Sequence, residues 1–373
     1  MIPLVDLHSQ YLHIKDEIDD AISDVLESCA FINGADVKAF AREMEEYLGV
    51  EHVIPLDSGT DALQISLMTL GLKPGDEVIV PAFTHVAVAE VVALLNMVPV
   101  FVDVNKDDFG ISVKEIEKAI TPRTKAIIPV HLFGQAAQME EVIILAHRHN
   151  IYVIEDNAQS IGATCEFSDG TMHYTGTMGD MSIVSFFPTK NLGGMGDGGA
   201  ILTNDDSLAE KAAMIAVHGQ KQKFHHLIIG CNSHLDSIQA AVLRVKLRYL
   251  DEYTAARQHI AAVYDRGLLG LGDFITPVVK PGNSHVYSQY TLRVLHGLRD
   301  DVKEYLRVQG VESEVYYPVP LYKQPAFAGI CRVSGTLANT ESLCEQVLSI
   351  PIYPELDRES QRFVITQLRS YGR

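Results

Sequence analysis

What the chain lacks narrows it first. No apolar run reaches the ~18 residues needed to span a bilayer. The opening stretch MIPLVDLHSQYLHIKDEI has no basic start, no apolar h-region and no small-residue cleavage site, so a cytoplasmic location is expected. Five cysteines, Cys29, Cys165, Cys231, Cys331 and Cys344, are odd in number and scattered without CxxC spacing. Neither a disulfide framework nor a metal site is therefore expected. Positive charge is also scarce, with 30 Lys and Arg against 48 Asp and Glu and a net charge of −18. Such a surface does not suit nucleic-acid phosphates or anionic lipid, so any anion site must be local.

What is present is globular. A composition of 47% hydrophobic and 21% charged residues excludes general disorder, and 373 residues suit about two to three domains. Apolar positions at helical spacing over 10–28 lead into a loop broken at Asn33 and Gly34, then a second amphipathic helix over 37–48 and a short strand in HVIPLDSG. From there the pattern is regular. Helices over 61–70, 86–95, 113–120 and 140–150 alternate with apolar strands over 77–80, 98–102, 126–132 and 151–155. That alternation predicts an α/β fold, a mostly parallel sheet covered on both faces. Strands over 181–186 and 199–203 follow with no helix between them.

A long, charge-rich helical pattern over 237–266 gives way to LLGLGDFITPVVKPGN, the composition shift that marks the expected boundary. The reading is a large domain over 1–250 and a smaller α+β domain over 251–373. The second is expected to hold strands over 288–294 and 311–317 and helices over 300–309 and 360–367.

In an open parallel sheet ligands bind beyond the carboxyl ends of the strands. Four stretches fall there. Ser58-Gly59-Thr60-Asp61 opens a helix, where exposed N–H groups and the dipole favour a phosphate, although alone it reads as a plain N-cap. In PAFTH, His85 or Phe83 suits the face of a flat ring. In EDNAQ, Asp156 suits a protonated heterocyclic nitrogen and Gln159 a neighbouring oxygen; an ordinary solvated loop is the plain alternative. In SFFPTKNLGG, Ser185 adds a hydroxyl and Lys190 an amine. Cradle, ring cover, acid and amine together match pyridoxal 5′-phosphate. The glycines Gly194, Gly196 and Gly199 spell GxGxxG, but a strand rather than a helix follows, so a dinucleotide site is rejected and close backbone approach to the lysine and cofactor is expected instead.

SGTDAL at 58–63, PAFTHVA at 81–87, EDNAQS at 155–160, SFFPTKNLG at 185–193 and GDGGA at 196–200 resemble the DegT/DnrJ/EryC1/StrS sugar aminotransferases, from PLVDL at 3–7 to SIPIYPEL at 349–356. TPRTKAIIPV, HGQKQKFHH, CNSHLD and YYPVPLYKQPA are most similar to enzymes that aminate C3 of a UDP-2-acetamido-3-oxo-glucuronate. The resemblance implies the type I fold of enzymes using pyridoxal 5′-phosphate and a homodimer with active sites at the interface. It implies that Lys190 carries the cofactor, Asp156 pairs with the pyridine nitrogen and Gln159 sits near the ring. Gly59, Thr60, Asp61 and Ser185 would belong to the phosphate end, with Asn232 reaching in from the other subunit. L-glutamate would be the donor. A dehydratase relative would carry histidine in place of Lys190, so dehydration is disfavoured.

Three positions depart from the family pattern. His85 stands where an aromatic ring usually stacks, His234 where an arginine clamps an acidic substrate, and Tyr316-Tyr317-Pro318 where HYP is usual. With Lys221 and Lys223, which offer charge for a diphosphate or an ordinary solvated face, His234, Tyr316 and Tyr317 are the expected substrate contacts.

Overall fold

The computed structural model describes residues 1–371. Helices α1 (Leu7–His13), α2 (Lys15–Ser28) and α3 (Ala35–Leu48) precede β1 (His52–Leu56). The expected single helix over 10–28 is two, because Ile14 leaves helical geometry at ψ 24° and buries its side chain. Alternation then follows as α4 (Gly59–Leu70), β2 (Glu77–Pro81), α5 (Ala87–Leu94), β3 (Val98–Val102), α6 (Val113–Ala119) and β4 (Thr124–Ile127). It continues with α7 (Met139–His149) and β5 (Tyr152–Asp156). The strand expected to run on to residue 132 stops at Ile127, although Val130 still bridges Asp156.

A small hairpin, β6 (Thr164–Glu166) and β7 (Met172–Tyr174), comes before β8 (Met181–Ser185) and β9 (Gly199–Thr203). Next are α8 (Asp206–Ala216), the hairpin β10 (Gln220–Gln222) and β11 (His225–His226), α9 (Ser237–Leu247) and α10 (Leu250–Leu268). The long helix expected over 237–266 breaks at Arg248 and Tyr249, whose side chains both bond Glu17 of α2. The rest is β12 (Phe274–Ile275), β13 (Tyr290–Val294), α11 (Arg299–Val308), β14 (Arg332–Val333), α12 (Ala338–Gln346), β15 (Val347–Ile350) and α13 (Arg358–Ser370).

Eight strands form the main sheet in the order β1-β9-β8-β5-β4-β2-β3-β14. Every neighbouring pair from β8 to β14 is parallel, and β9 alone runs against the rest. Side-chain alternation sorts the two faces. Val78, Val80, Phe101 and Ile154 face one core with α4 and α5, while Ile79, Val100, Val102 and Val153 face another with α6 and α7. A third core packs α3 and α9 against β8 and β9.

After α10 the chain builds a three-stranded sheet, β12-β13-β15. No strand forms over 311–317. Val311 bridges Ile2 and Glu314 bridges Ser349, and the chain then turns Tyr316 and Tyr317 towards the main sheet's carboxyl edge. The C-terminal segment also adds β14 to the main sheet. It is pinned there by Asp103, whose carboxylate accepts from Asn339 N at 3.0 Å, Thr340 N at 2.8 Å and Thr340 Oγ1 at 2.8 Å. No side chain at the N-cap of α12 itself does this, so a distant carboxylate satisfies the first-turn N–H groups.

Because β9 is antiparallel, its first residue lies at the sheet's carboxyl edge beside the turn after β1. A Cβ at Gly199 would fall 2.3 Å from the carbonyl carbon of Ser58 and 2.5 Å from Gly59 N. Gly199→Ala is therefore expected to push β9 from β1 and cost about 1–3 kcal/mol, read as a lower denaturant midpoint; an unchanged midpoint would show that the strands separate freely.

Candidate active site

A cavity of about 430 Å³ opens at that edge, within the range of small-molecule sites. Its walls are Ser58, Gly59 and Thr60 after β1, Thr84 and His85 after β2, Asp156 at the end of β5 with Gln159 beyond it, and Ser185 at the end of β8 with Lys190 beyond it. Tyr316 and Tyr317 close one side.

Lys190 sits on a loop held by backbone. Its own N–H donates to Phe187 O at 2.9 Å, and Gly194 N to Phe186 O at 2.8 Å. Asn191 Nδ2 donates to Val286 O and Lys246 Nζ to Gly193 O. The Lys190 amine makes no ion pair or hydrogen bond with the described residues. Burial draws its pKa below the usual lysine range, and the charge of Asp156 only partly opposes this.

Asp156 is buried, and burial raises its pKa while the Ala158 N–H, at 3.0 Å from Oδ1, and Lys190 work the other way. Its second oxygen accepts from none of the described residues. The strand end that carries it is fixed by its neighbour Glu155. This fully buried carboxylate accepts from Gly176 N, Met178 N and Gly179 N at 2.6–2.8 Å and from His131 Nε2 at 2.8 Å. His131 Nδ1 in turn accepts from Ala137 N, which places the imidazole proton on Nε2.

His85 stands at the cavity with its Nδ1 accepting from Ala87 N at 3.3 Å. Burial, then the Lys190 charge, lowers its pKa against Asp156, so the ring is neutral at pH 7. Phe83 does not reach the cavity. It is 1% exposed and packs edge-on against Phe133 and Tyr317, so of the two candidates only His85 is free to face a flat ligand. Gln159 is oriented from both ends, accepting from Phe133 N at 2.8 Å and donating to Tyr317 Oη at 3.4 Å.

The first turn of α4 supplies the anion end. Ser58 Oγ caps Asp61 N at 3.1 Å, leaving the Gly59 and Thr60 N–H groups without partners. Opposite, Ser185 packs so closely that a Cβ on Gly59 would lie 2.8 Å from its own Cβ. An unpaired amine, a buried carboxylate with one free oxygen, a neutral imidazole and two free N–H groups at a helix start are the donor set that pyridoxal 5′-phosphate requires.

Five further candidate residues lie outside this cavity. Asp61 offers its N–H to Ser58. Lys221 ion-pairs with Glu210 on the exposed β10 hairpin, while Lys223 lies over the Phe224 ring. Asn232 bridges Val217, and His234 acts on Asp57, whose pKa burial raises and His234 lowers. The glycines also divide differently from expectation. Gly199 approaches Ser58, whereas Gly194 and Gly196 pack on Gln239 rather than on the lysine.

Thr84, Thr189, Asp197 and Gln289 line the cavity without having been singled out. Thr84 lies inside the PAFTH stretch and was legible there; Gln289 comes from the far end of the chain and carries no local signal.

The DegT/DnrJ/EryC1/StrS aminotransferase family matches residues 12–369. The chain is 43% identical, over 100% of its own length and 99% of the relative's, to a pleiotropic regulatory protein of Geobacillus stearothermophilus. It is 43% identical, over 99% of both chains, to the UDP-2-acetamido-2-deoxy-3-oxo-D-glucuronate aminotransferase of Pseudomonas aeruginosa. Other relatives are named as transaminases of dTDP-3-amino sugars. Among solved structures, S. venezuelae DesV in complex with a ketimine intermediate superposes with a TM-score of 0.94 at 40% identity, covering 99% of this chain and 97% of that one.

The depressed pKa of Lys190 has a consequence for the cofactor-free protein. The unfolded chain binds the lysine proton more readily than the folded one, so stability rises with pH through the window from the lowered folded value up to about 10.4. Lys190→Met is expected to be more stable than the parent at pH 7, with the difference shrinking towards pH 10. Urea midpoints at both pH values check this, and equal pH slopes for the two proteins would contradict it.

Proposed function

Because the chain belongs to the DegT/DnrJ/EryC1/StrS aminotransferase family, we propose that it transfers an amino group from L-glutamate to C3 of UDP-2-acetamido-3-oxo-glucuronate, for surface polysaccharide synthesis. Its cofactor, pyridoxal 5′-phosphate, supplies when bound a carbonyl that exchanges for an amine and a ring that takes up electrons.

The residues around it have separable tasks. Lys190 Nζ is unpaired and holds its proton weakly, so it would serve as the anchoring nucleophile and as the tethered base that carries a proton between the nitrogen-bearing carbon of the substrate and the cofactor. Asp156 turns its free oxygen to the ring nitrogen and keeps a proton there; a cation–anion contact of this kind also relieves the desolvation of the buried carboxylate. Gly59 N, Thr60 N and Ser185 Oγ take the phosphate, with Asp61 shaping the same turn. His85 lies on the ring face, and Gln159 Nε2 stands at the ring oxygen. Tyr316 and Tyr317 cover the sugar.

Asn232, Lys221 and His234 lie outside the cavity of their own chain. We assign them to the cavity of a second copy in a two-fold dimer, where the exposed β10–β11 hairpin would bring lysine charge to the diphosphate. The protein in this reading works in the cytoplasm on a soluble nucleotide sugar; no helix of the described residues is long and apolar enough to cross a membrane.

The observation that carries the reading is the pairing of an unpartnered amine with a buried carboxylate across one cavity. Purified protein is expected to be yellow, with a near-visible band that glutamate shifts. A panel of UDP- and dTDP-linked keto sugars added to the glutamate-treated enzyme should restore the band fastest with the 2-acetamido-3-oxo-glucuronate; faster restoration by a dTDP-6-deoxy sugar, the class that several relatives are named for, would replace the acceptor. Lys190→Ala is expected to abolish transfer. Asp156→Asn should lower kcat/KM by roughly a hundred- to a thousandfold, and retained turnover in either variant would contradict the role given to it.

A further inference from the structure

The cavity has a side lobe of about 180 Å³. Thr189, Gln289 and Tyr316 line both spaces, so the lobe opens directly beside Lys190. Its far wall is apolar, made by Leu4 and Val5 of the N-terminal segment, by Ile350 at the end of β15 and by Ile352 beyond it. No lysine, arginine or histidine lines it.

Two residues of the lobe carry polar atoms without partners. Gln289 Oε1 is buried and accepts no hydrogen bond, and none of the described residues bonds its Nε2. Ser288, 5% exposed, has a buried Oγ that is likewise without a partner. Ser349, by contrast, is satisfied by Thr291 at 2.8 Å. Both Gln289 Oε1 and Ser288 Oγ are sealed from the lobe, so the polar group that a ligand there can meet is the open Gln289 Nε2.

The chemistry of that ligand follows from the wall. A carboxylate or phosphate would enter without a counter-charge, which excludes the donor's carboxylates, the uronate carboxyl and the diphosphate. A hydroxyl alone would leave the apolar wall unfilled. The open Gln289 Nε2 can donate to the carbonyl of a secondary amide, while Leu4, Val5, Ile350 and Ile352 suit a methyl group.

We propose that this lobe binds the N-acyl substituent on the sugar carbon next to the one that is aminated. The proposal rests on the nucleotide-sugar reading above and deepens it. An acetamido group at C2 is one carbon from C3, and Thr189, the residue preceding the reacting lysine, is part of the lobe wall. Gln289 thereby makes the 2-acetamido group a condition of tight binding, and Val5 sets how large an acyl chain fits.

Binding of UDP-N-acetylglucosamine and UDP-glucose to the holoenzyme, measured by calorimetry, tests this, because the two differ only in that substituent. The N-acetyl sugar is expected to bind on the order of tenfold tighter, the sum of a small methyl burial and one neutral hydrogen bond. Gln289→Leu should reduce the preference to within about threefold. Val5→Phe, which fills the lobe from the N-terminal side, should remove or reverse it, and the cofactor absorption band reports that each variant is folded. Equal affinity of the parent enzyme for the two sugars, or a preference untouched by both variants, would overturn the lobe assignment while leaving the aminotransferase reading intact. If neither UDP sugar binds, the UDP-sugar reading fails and the lobe assignment falls with it.

Discussion

The site depends on one buried carboxylate that does no chemistry. Glu155 gathers three backbone N–H groups from the segment between β7 and β8 and the imidazole of His131 from the segment after β4. It therefore ties the end of β5 to the segment after β4 and to the segment that leads into β8. A buried charge is tolerable only when its lone pairs are filled, and here four donors fill them. The next residue along β5 is Asp156, so the direction of the reactive carboxylate is inherited from the bonding of its neighbour. Adjacent acids in one strand point to opposite faces, and the two have opposite bonding: one saturated, the other left with an open oxygen.

Saturated carboxylates hold the framework elsewhere too. Glu77 is buried and satisfied by Thr121, Arg123 and Arg332, and Asp103 is buried with the N–H groups of Val104, Asn339 and Thr340 as donors. These groups hold the layers together. Lys190, Asp156, Gly59 N, Thr60 N, Ser288 and Gln289 are incompletely bonded, and each lines the cavity or the lobe that adjoins it. Incomplete bonding costs stability in the empty protein and is a recurrent mark of a binding site.

Much of this was legible from the chain alone, for a physical reason. Apolar strands bounded by turns mark where a parallel sheet ends, and the residues just past those ends, Ser58, Thr84, His85, Asp156 and Lys190, converge because parallel strands deliver their carboxyl ends to one edge. Strand 98–102 is observed over those same residues, and strand 199–203 likewise. What escaped depends on contacts between distant segments. The break in the helix at Arg248 is set by Glu17, the failure of a strand over 311–317 by bridges to Ile2 and Ser349, and the place of Gln289 by the packing of β13 against β15. No local periodicity encodes those partners. Lys221 and His234 had charge to recommend them, but charge in a sequence does not say which cavity, or whose, a side chain faces.

The attachment of β14 and α12 to β3 has a bearing on how the chain is made. Strand β3 borders β2 on one side, but its other edge stays open until Arg332 and Val333 arrive, and Asp103 lacks the N–H groups of Asn339 and Thr340 until then. On the ribosome, a hydrophobic strand edge thus remains unpaired while more than half of the protein is still being synthesised. Such an edge is a template for pairing with other nascent chains. The last quarter of the chain acts as the seal that ends this exposure.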